Sequence, residues 1–109
     1  MNKINIGIVG CGRISKKHIE SILFNQDKFN LVSICDTDNN KLLSANVSND
    51  ISKYLSMEEM INNESLDVVA ICTPSGLHAE HSILAARKKI NVVTEKPMAT
   101  KYNDALNMI

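Results

Sequence analysis

Short β-branched runs alternate with stretches of helical period along the chain. Ile4–Val9 carries almost no charge, as a strand buried on both faces of a sheet requires. From Arg13 to Asn25 the pattern places Ile14, His18, Ile19, Ile22 and Leu23 on one face and Lys16, Lys17 and Glu20 on the other. That is an amphipathic helix lying on a sheet. Phe29–Cys35 is a second β-type run, and Asp38-Asn39-Asn40 opens a short helix over Lys41–Val47. Ile51–Leu55 predicts a brief strand. Ser56-Met57-Glu58-Glu59 then reads as a capping box, with Ser56 accepting from the backbone and Glu59 reaching back, for a helix to Asn62 or Asn63. Asp67–Thr73 is another buried strand, stopped by Pro74-Ser75-Gly76. Leu77–Lys88 predicts a helix with Ile83, Leu84 and Ala86 among its core positions, and Asn91–Thr94 a fifth strand. A last helix begins near Thr100. This alternation predicts an α/β fold with a parallel sheet, forming one domain over residues 1–109.

Charge narrows the function classes. Lys+Arg and Asp+Glu number 12 each in 109 residues, so no basic field points to nucleic acid or an anionic membrane surface. No apolar stretch nears the roughly 18–20 residues of a membrane span. The first apolar run is broken by Gly7, Gly10 and Gly12, which does not suit a secretory leader. Cys11, Cys35 and Cys72 are odd in number and lack C-x-x-C spacing. They read as small buried hydrophobes in a reducing, cytoplasmic setting, not as a disulfide or zinc framework. His78 and His81 stand at i,i+3 without an obvious acidic or thiol partner, so no metal is expected. His18 reads as a packed, hydrogen-bonded core histidine.

The candidate chemistry begins where the first strand ends. Gly10-Cys11-Gly12-Arg13-Ile14-Ser15 is a G-x-G-x-x-small turn between a strand and a helix, the context in which such glycines signal a dinucleotide site. Gly10 permits the tight turn, Gly12 lets a pyrophosphate approach the backbone, and Ser15 keeps helix and strand close. The helix aims its unpaired N–H groups and positive dipole end at the phosphates. Asp36 ends the second strand run, where a carboxylate can accept from both adenosine-ribose hydroxyls and would repel a 2′-phosphate. The competing reading is a helix N-cap. Its position favours the ribose.

Three linked stretches, GIVGCGRIS, AICTPSGLHAEH and VVTEKPMA, make the chain resemble the N-terminal domain of the Gfo/Idh/MocA oxidoreductase family over nearly its whole length. The Glu-Lys-Pro motif is the most specific of them. The wording GCGRISKKHIE also looks like members that oxidise UDP-N-acetylglucosaminuronate. The resemblance implies a Rossmann-type domain, a doubly wound parallel sheet of order 3-2-1-4-5, binding NAD in preference to NADP. It implies that Gly10, Cys11, Gly12, Arg13 and Ile14 hold the pyrophosphate and Asp36 the ribose. Thr73 and Pro74 would line the nicotinamide-ribose end. Lys96 would lie beside the nicotinamide and the reacting carbinol, with Glu95 placing it and a cis Pro97 directing it. His78 would be a local hydrogen-bonder at the start of its helix. An ammonium beside a hydroxyl undergoing oxidation can stabilise the developing alkoxide.

The implied activity is hydride transfer from a sugar, nucleotide-sugar or cyclitol hydroxyl to NAD. The alternatives are a nicotinamide-nucleotide sensor of the same family and a Rossmann domain for flavin or a nucleotide sugar. Two departures from the family pattern stand out. Lys89 occupies a helix end where members often carry Gly, at a cost of about 1 kcal/mol if left-handed. The substrate domain, with its acid/base histidine, is also expected to lie outside these 109 residues. Sugar binding would then need that domain, and the fifth strand would be an open edge that favours a homo-oligomer.

Overall fold

A computed structural model describes residues 3–45, 47–73 and 75–93. Five parallel strands form one sheet of order β3-β2-β1-β4-β5, the order expected of a Rossmann-type domain. In chain order the elements are β1 (Ile4–Val9), α1 (Arg13–Phe24), β2 (Phe29–Cys35), α2 (Asn39–Ser44), β3 (Ser52–Tyr54), α3 (Met57–Asn63), β4 (Val68–Ile71), α4 (Ser75–Arg87) and β5 (Asn91–Val93). The end of the fifth strand at Thr94, the Glu95-Lys96-Pro97 motif and the helix near Thr100 lie outside the described residues, as does Pro74.

The two faces of the sheet bury separate clusters. Ile6 and Ile8 of β1 pack with Ile19 and Ile22 of α1 and Leu42 of α2 on one side. Val9, Val69 and Ile71 pack with Met57, Met60 and Ile61 of α3 and Ala85 of α4 on the other. Nearly continuous apolar strands follow from this double coverage. His18 and Ser15 of α1 are buried with the first cluster's helix, and the small Ser15 allows the helix its close approach.

Beyond the strand runs, several boundaries and faces differ from the sequence reading. The helix expected at Lys41–Val47 starts two residues earlier, because Asp38 caps it by accepting from the Asn40 N–H at 2.9 Å. Ser56 caps α3 through the Glu59 N–H, but the Glu59 carboxylate returns no bond among the described residues. Leu23 is exposed, and among the described side chains of α4 the buried one is Ala85, whereas Ile83 and Ala86 face outward. Ile83-Leu84-Ala85-Ala86 is an unbroken apolar run, so its pattern singles out no face; the small Ala85 is what lets α4 approach the sheet. In β2 one residue is extra: Ile6 pairs with Leu31 but Gly7 pairs with Ser33. Val32 fills the irregularity, and the alternation of faces inverts beyond it, so Phe29, Leu31 and Ile34 all reach the same cluster.

The end of α4 fulfils the expectation for Lys89. The Ile90 N–H donates to the Ala85 carbonyl and the Lys89 N–H to the Ala86 carbonyl, both at 3.0 Å. This is a Schellman motif with buried Ile90 packed beyond the helix end, and it forces Lys89 to φ 59°. Its Cβ is strained there, and exposed Lys89 has no packing role to offset that. Lys89→Gly is therefore expected to stabilise the protein by about 1 kcal/mol. A higher denaturant midpoint at unchanged slope would show it.

Candidate active site

Because every strand is parallel, all carboxyl ends meet at one edge of the sheet. The chain order reverses there between β2 and β4 on either side of β1, the place where open α/β sheets bind ligands. The Gly10 N–H donates to the Cys35 carbonyl at 2.8 Å and the Cys72 N–H to the Val9 carbonyl at 2.7 Å, locking the three strand ends together. A cleft of about 510 Å³ opens above them, within the usual range of cofactor sites. Gly10, Gly12, Asp36 and Thr73 line it, as the motifs require.

The two turn glycines do different things. Gly10 has φ +93°, and a Cβ there would lie 3.0 Å from the Cys72 carbonyl carbon and from the Thr73 methyl. Only glycine fits. Gly12 has an ordinary φ of −80°, and a Cβ on it would meet nothing within 4 Å among the described residues. The space in front of Gly12 is open, as a bound pyrophosphate needs. Gly12 is also the N-cap residue of α1, which receives no side-chain cap and has no acid in its first turn. An anionic ligand here would meet the positive end of a twelve-residue helix whose own first turn carries no carboxylate. The residues present fit a dinucleotide.

Asp36 is half-buried and tied to the turn. Its carboxylate accepts from the Cys11 N–H at 2.8 Å through one oxygen and from the Asp38 N–H at 2.8 Å through the other. Asp38, and not Asp36, caps α2, so the competing reading of Asp36 as that helix cap does not hold. Each carboxylate oxygen keeps acceptor capacity toward the cleft. Cys11 and Cys35 lie beneath. Burial first, then the Asp36 carboxylate, pushes the Cys11 thiol up to about 12, and burial does the same to Cys35. The free cysteines are packing residues. Near pH 8 both thiols therefore stay protonated. A disulfide reagent should accordingly leave both unlabelled in the native protein and label them once denatured.

Several lining residues carry no sequence motif. Thr37 and Lys41 stand beside Asp36, and Leu55, Ser56 and Met57 form the wall beyond β3. His81 reaches the cleft from α4, with Nδ1 3.0 Å from the Thr73 hydroxyl. In the sequence His81 is weighed only beside His78, as a metal pair, and no metal is expected. Among the described residues no three His, Cys, Asp or Glu side chains gather for a metal. The side chains of Arg13, Ile14 and His78, together with Pro74, Glu95, Lys96 and Pro97, are outside what the structure describes. No helix among the described residues is long and apolar enough to cross a membrane.

Comparison with known proteins agrees with this geometry. Residues 4–109 match the model of the Gfo/Idh/MocA oxidoreductase family, NAD-binding Rossmann fold. The WlbA dehydrogenase of Bordetella pertussis, solved with NADH and UDP-GlcNAcA, superposes with a TM-score of 0.82 at 41% identity, over 99% of this chain and 32% of that one. Myo-inositol 2-dehydrogenase of Thermotoga maritima is 30% identical over 107 residues, 97% of this chain and 32% of the enzyme. A 2,7-anhydro-N-acetylneuraminate hydratase of Mediterraneibacter gnavus is 28% identical over all of this chain and 28% of its own length. The chain spans about a third of the length of the relatives it matches. With a cleft built on a glycine turn, an uncapped helix and a strand-end aspartate, and with the family match running from β1 to the last residue, the chain belongs to the Gfo/Idh/MocA oxidoreductase family and carries its NAD-binding Rossmann fold.

Proposed function

We propose that this chain is the cofactor-binding part of an NAD-dependent dehydrogenase that oxidises a hydroxyl of a sugar, nucleotide sugar or cyclitol. The observation that carries the reading is the pair of turn glycines beside Asp36: one is sterically obligatory, the other faces open space at a helix N-terminus. Gly10, Cys11, Gly12, Arg13 and Ile14 would hold the pyrophosphate by their backbone, and Asp36 the adenosine ribose. Thr73, Pro74 and His78 belong to the far nucleoside's end. The dinucleotide, when bound, supplies the hydride acceptor. Lys96, placed by Glu95 and Pro97, would stand by the substrate hydroxyl and stabilise the alkoxide as its proton leaves. Identity of 41% to a dehydrogenase solved with UDP-GlcNAcA favours a uronate nucleotide sugar as substrate.

The test is made on the full-length protein. NADH should bind, and turnover of UDP-GlcNAcA or a cyclitol should fall by about two or more orders of magnitude in Lys96→Ala while NADH binding persists. Lys96→Ala with undiminished turnover would remove Lys96 from the chemistry. Tight NADH binding with no turnover on any hydroxyl substrate would instead indicate a nucleotide-sensing module.

A further inference from the structure

Thr73 sits just past the end of β4 and is gripped from two sides. Its methyl lies 3.0 Å from where a Cβ on Gly10 would stand, so it packs directly on the glycine turn. Its hydroxyl lies 3.0 Å from Nδ1 of His81, which comes from the middle of α4. Both residues line the cleft. A β-branched side chain has few χ1 choices, and the turn on one side and the imidazole on the other select one of them.

The position of this pair follows from the sheet order. A dinucleotide crosses the crevice with its pyrophosphate at the glycine turn after β1. Asp36, after β2, takes one nucleoside, so the other lies on the β4 side, where Thr73 and His81 are. A threonine hydroxyl has one proton to donate and two lone pairs. Where the imidazole accepts that proton, Thr73 offers only lone pairs to a ligand. Where the imidazole donates, the hydroxyl keeps its own proton to donate.

We propose that His81 is a positioning residue for Thr73, fixing through the Oγ1···Nδ1 hydrogen bond which hydrogen-bonding character the hydroxyl presents to the nucleoside on the β4 side of the cleft. This rests on the dinucleotide reading above. It assigns a role to a histidine that acts on the ligand through its neighbour. The alternative, that His81 merely fills space at the cleft wall, makes a different prediction for the variant that keeps a polar atom at the Nδ1 position.

NADH affinity of the full-length protein, read by nicotinamide fluorescence, separates these outcomes, with ADP affinity by calorimetry as the internal control. His81→Leu removes the hydrogen bond and is expected to weaken NADH by about 3- to 10-fold, the ordinary net worth of such a bond. ADP, which lacks the far nucleoside, should change by less than about twofold on the same scale. His81→Asn places an amide atom near the lost Nδ1 and should restore most of the affinity. Thr73→Val should match His81→Leu, and the double variant should lose no more than either alone. Unchanged NADH binding in His81→Leu overturns the proposal, as do additive losses, equal weakening of ADP, or an Asn variant no better than Leu. Wild-type protein that binds ADP but not NADH overturns the pairing's ligand role and the dinucleotide reading together.

Discussion

Alanine at Gly10 is expected to cost the protein at least about 3 kcal/mol of stability, while alanine at Gly12 costs less than about 1 kcal/mol and abolishes tight NAD binding. Two terms act at Gly10. A φ of +93° is disfavoured for any L-residue, and the new methyl would press at 3.0 Å on the backbone of Cys72, which the Val9 carbonyl holds in place. Backbone cannot rotate away as a side-chain tip can. At Gly12 the backbone is ordinary and the added methyl meets open space, so the fold tolerates it. The methyl then occupies the approach of the pyrophosphate, and NAD affinity should fall by at least about tenfold. Thermal melts with and without NAD check both arms. Loss of fold at Gly12 with retention at Gly10 would invert the assignment.

Asp36 should govern the choice between NAD and NADP. Its carboxylate and a 2′-phosphate about 4 Å apart repel by up to about 4 kcal/mol at an effective dielectric of 20. Exposure and salt reduce that to about 1–3 kcal/mol, or about 10- to 100-fold in favour of NAD. Lys41 lines the same cleft and offsets part of the repulsion, so the lower half of that range is expected. Asp36→Ala should narrow the ratio, and it should also destabilise the protein. The carboxylate accepts the Cys11 and Asp38 N–H groups, and stripping a charged acceptor from backbone donors costs about 1–3 kcal/mol. Calorimetry with both dinucleotides, beside a denaturant titration, separates the two effects. Equal affinities in the wild type would remove Asp36 from the discrimination.

The strand ends of this site were legible because each carries a residue type that local physics restricts. Gly10 announces a positive φ, and Asp36 closes an apolar run where nothing else is charged. The remainder of the cleft wall is different. Thr37, Lys41 and Leu55 are unremarkable by type and come together only once β2 and β3 pair. His81 is hidden because its partner, Thr73, belongs to another element; no spacing along α4 reveals a bond to a residue before the helix. The extra residue at Val32 escaped notice too. Its run, Phe29–Cys35, is apolar on both faces apart from Asn30 and Ser33, so the pattern does not reveal the inverted alternation, which leaves Ser33 fully buried. The same ambiguity misassigned Ile83 and Ala86. Lys89 is the converse case, a residue that local preference argues against and that the Schellman geometry nonetheless imposes.

The central place of β1 has a consequence for how the chain emerges from the ribosome. β1 is made before either neighbour, yet it is flanked on both sides only after β4 exists, and the bond between the Asn5 N–H and the Asp67 carboxylate joins residues 62 apart. At about 5–20 residues per second, that interval lasts about 3–12 s. Throughout it β1, whose Ile6 and Ile8 end with no exposure at all, has a strand neighbour, β2, along one edge only. A nascent chain stalled before Val68 should therefore hold β1 accessible to protease and to chaperones, and one that has cleared the exit tunnel beyond β4 should not.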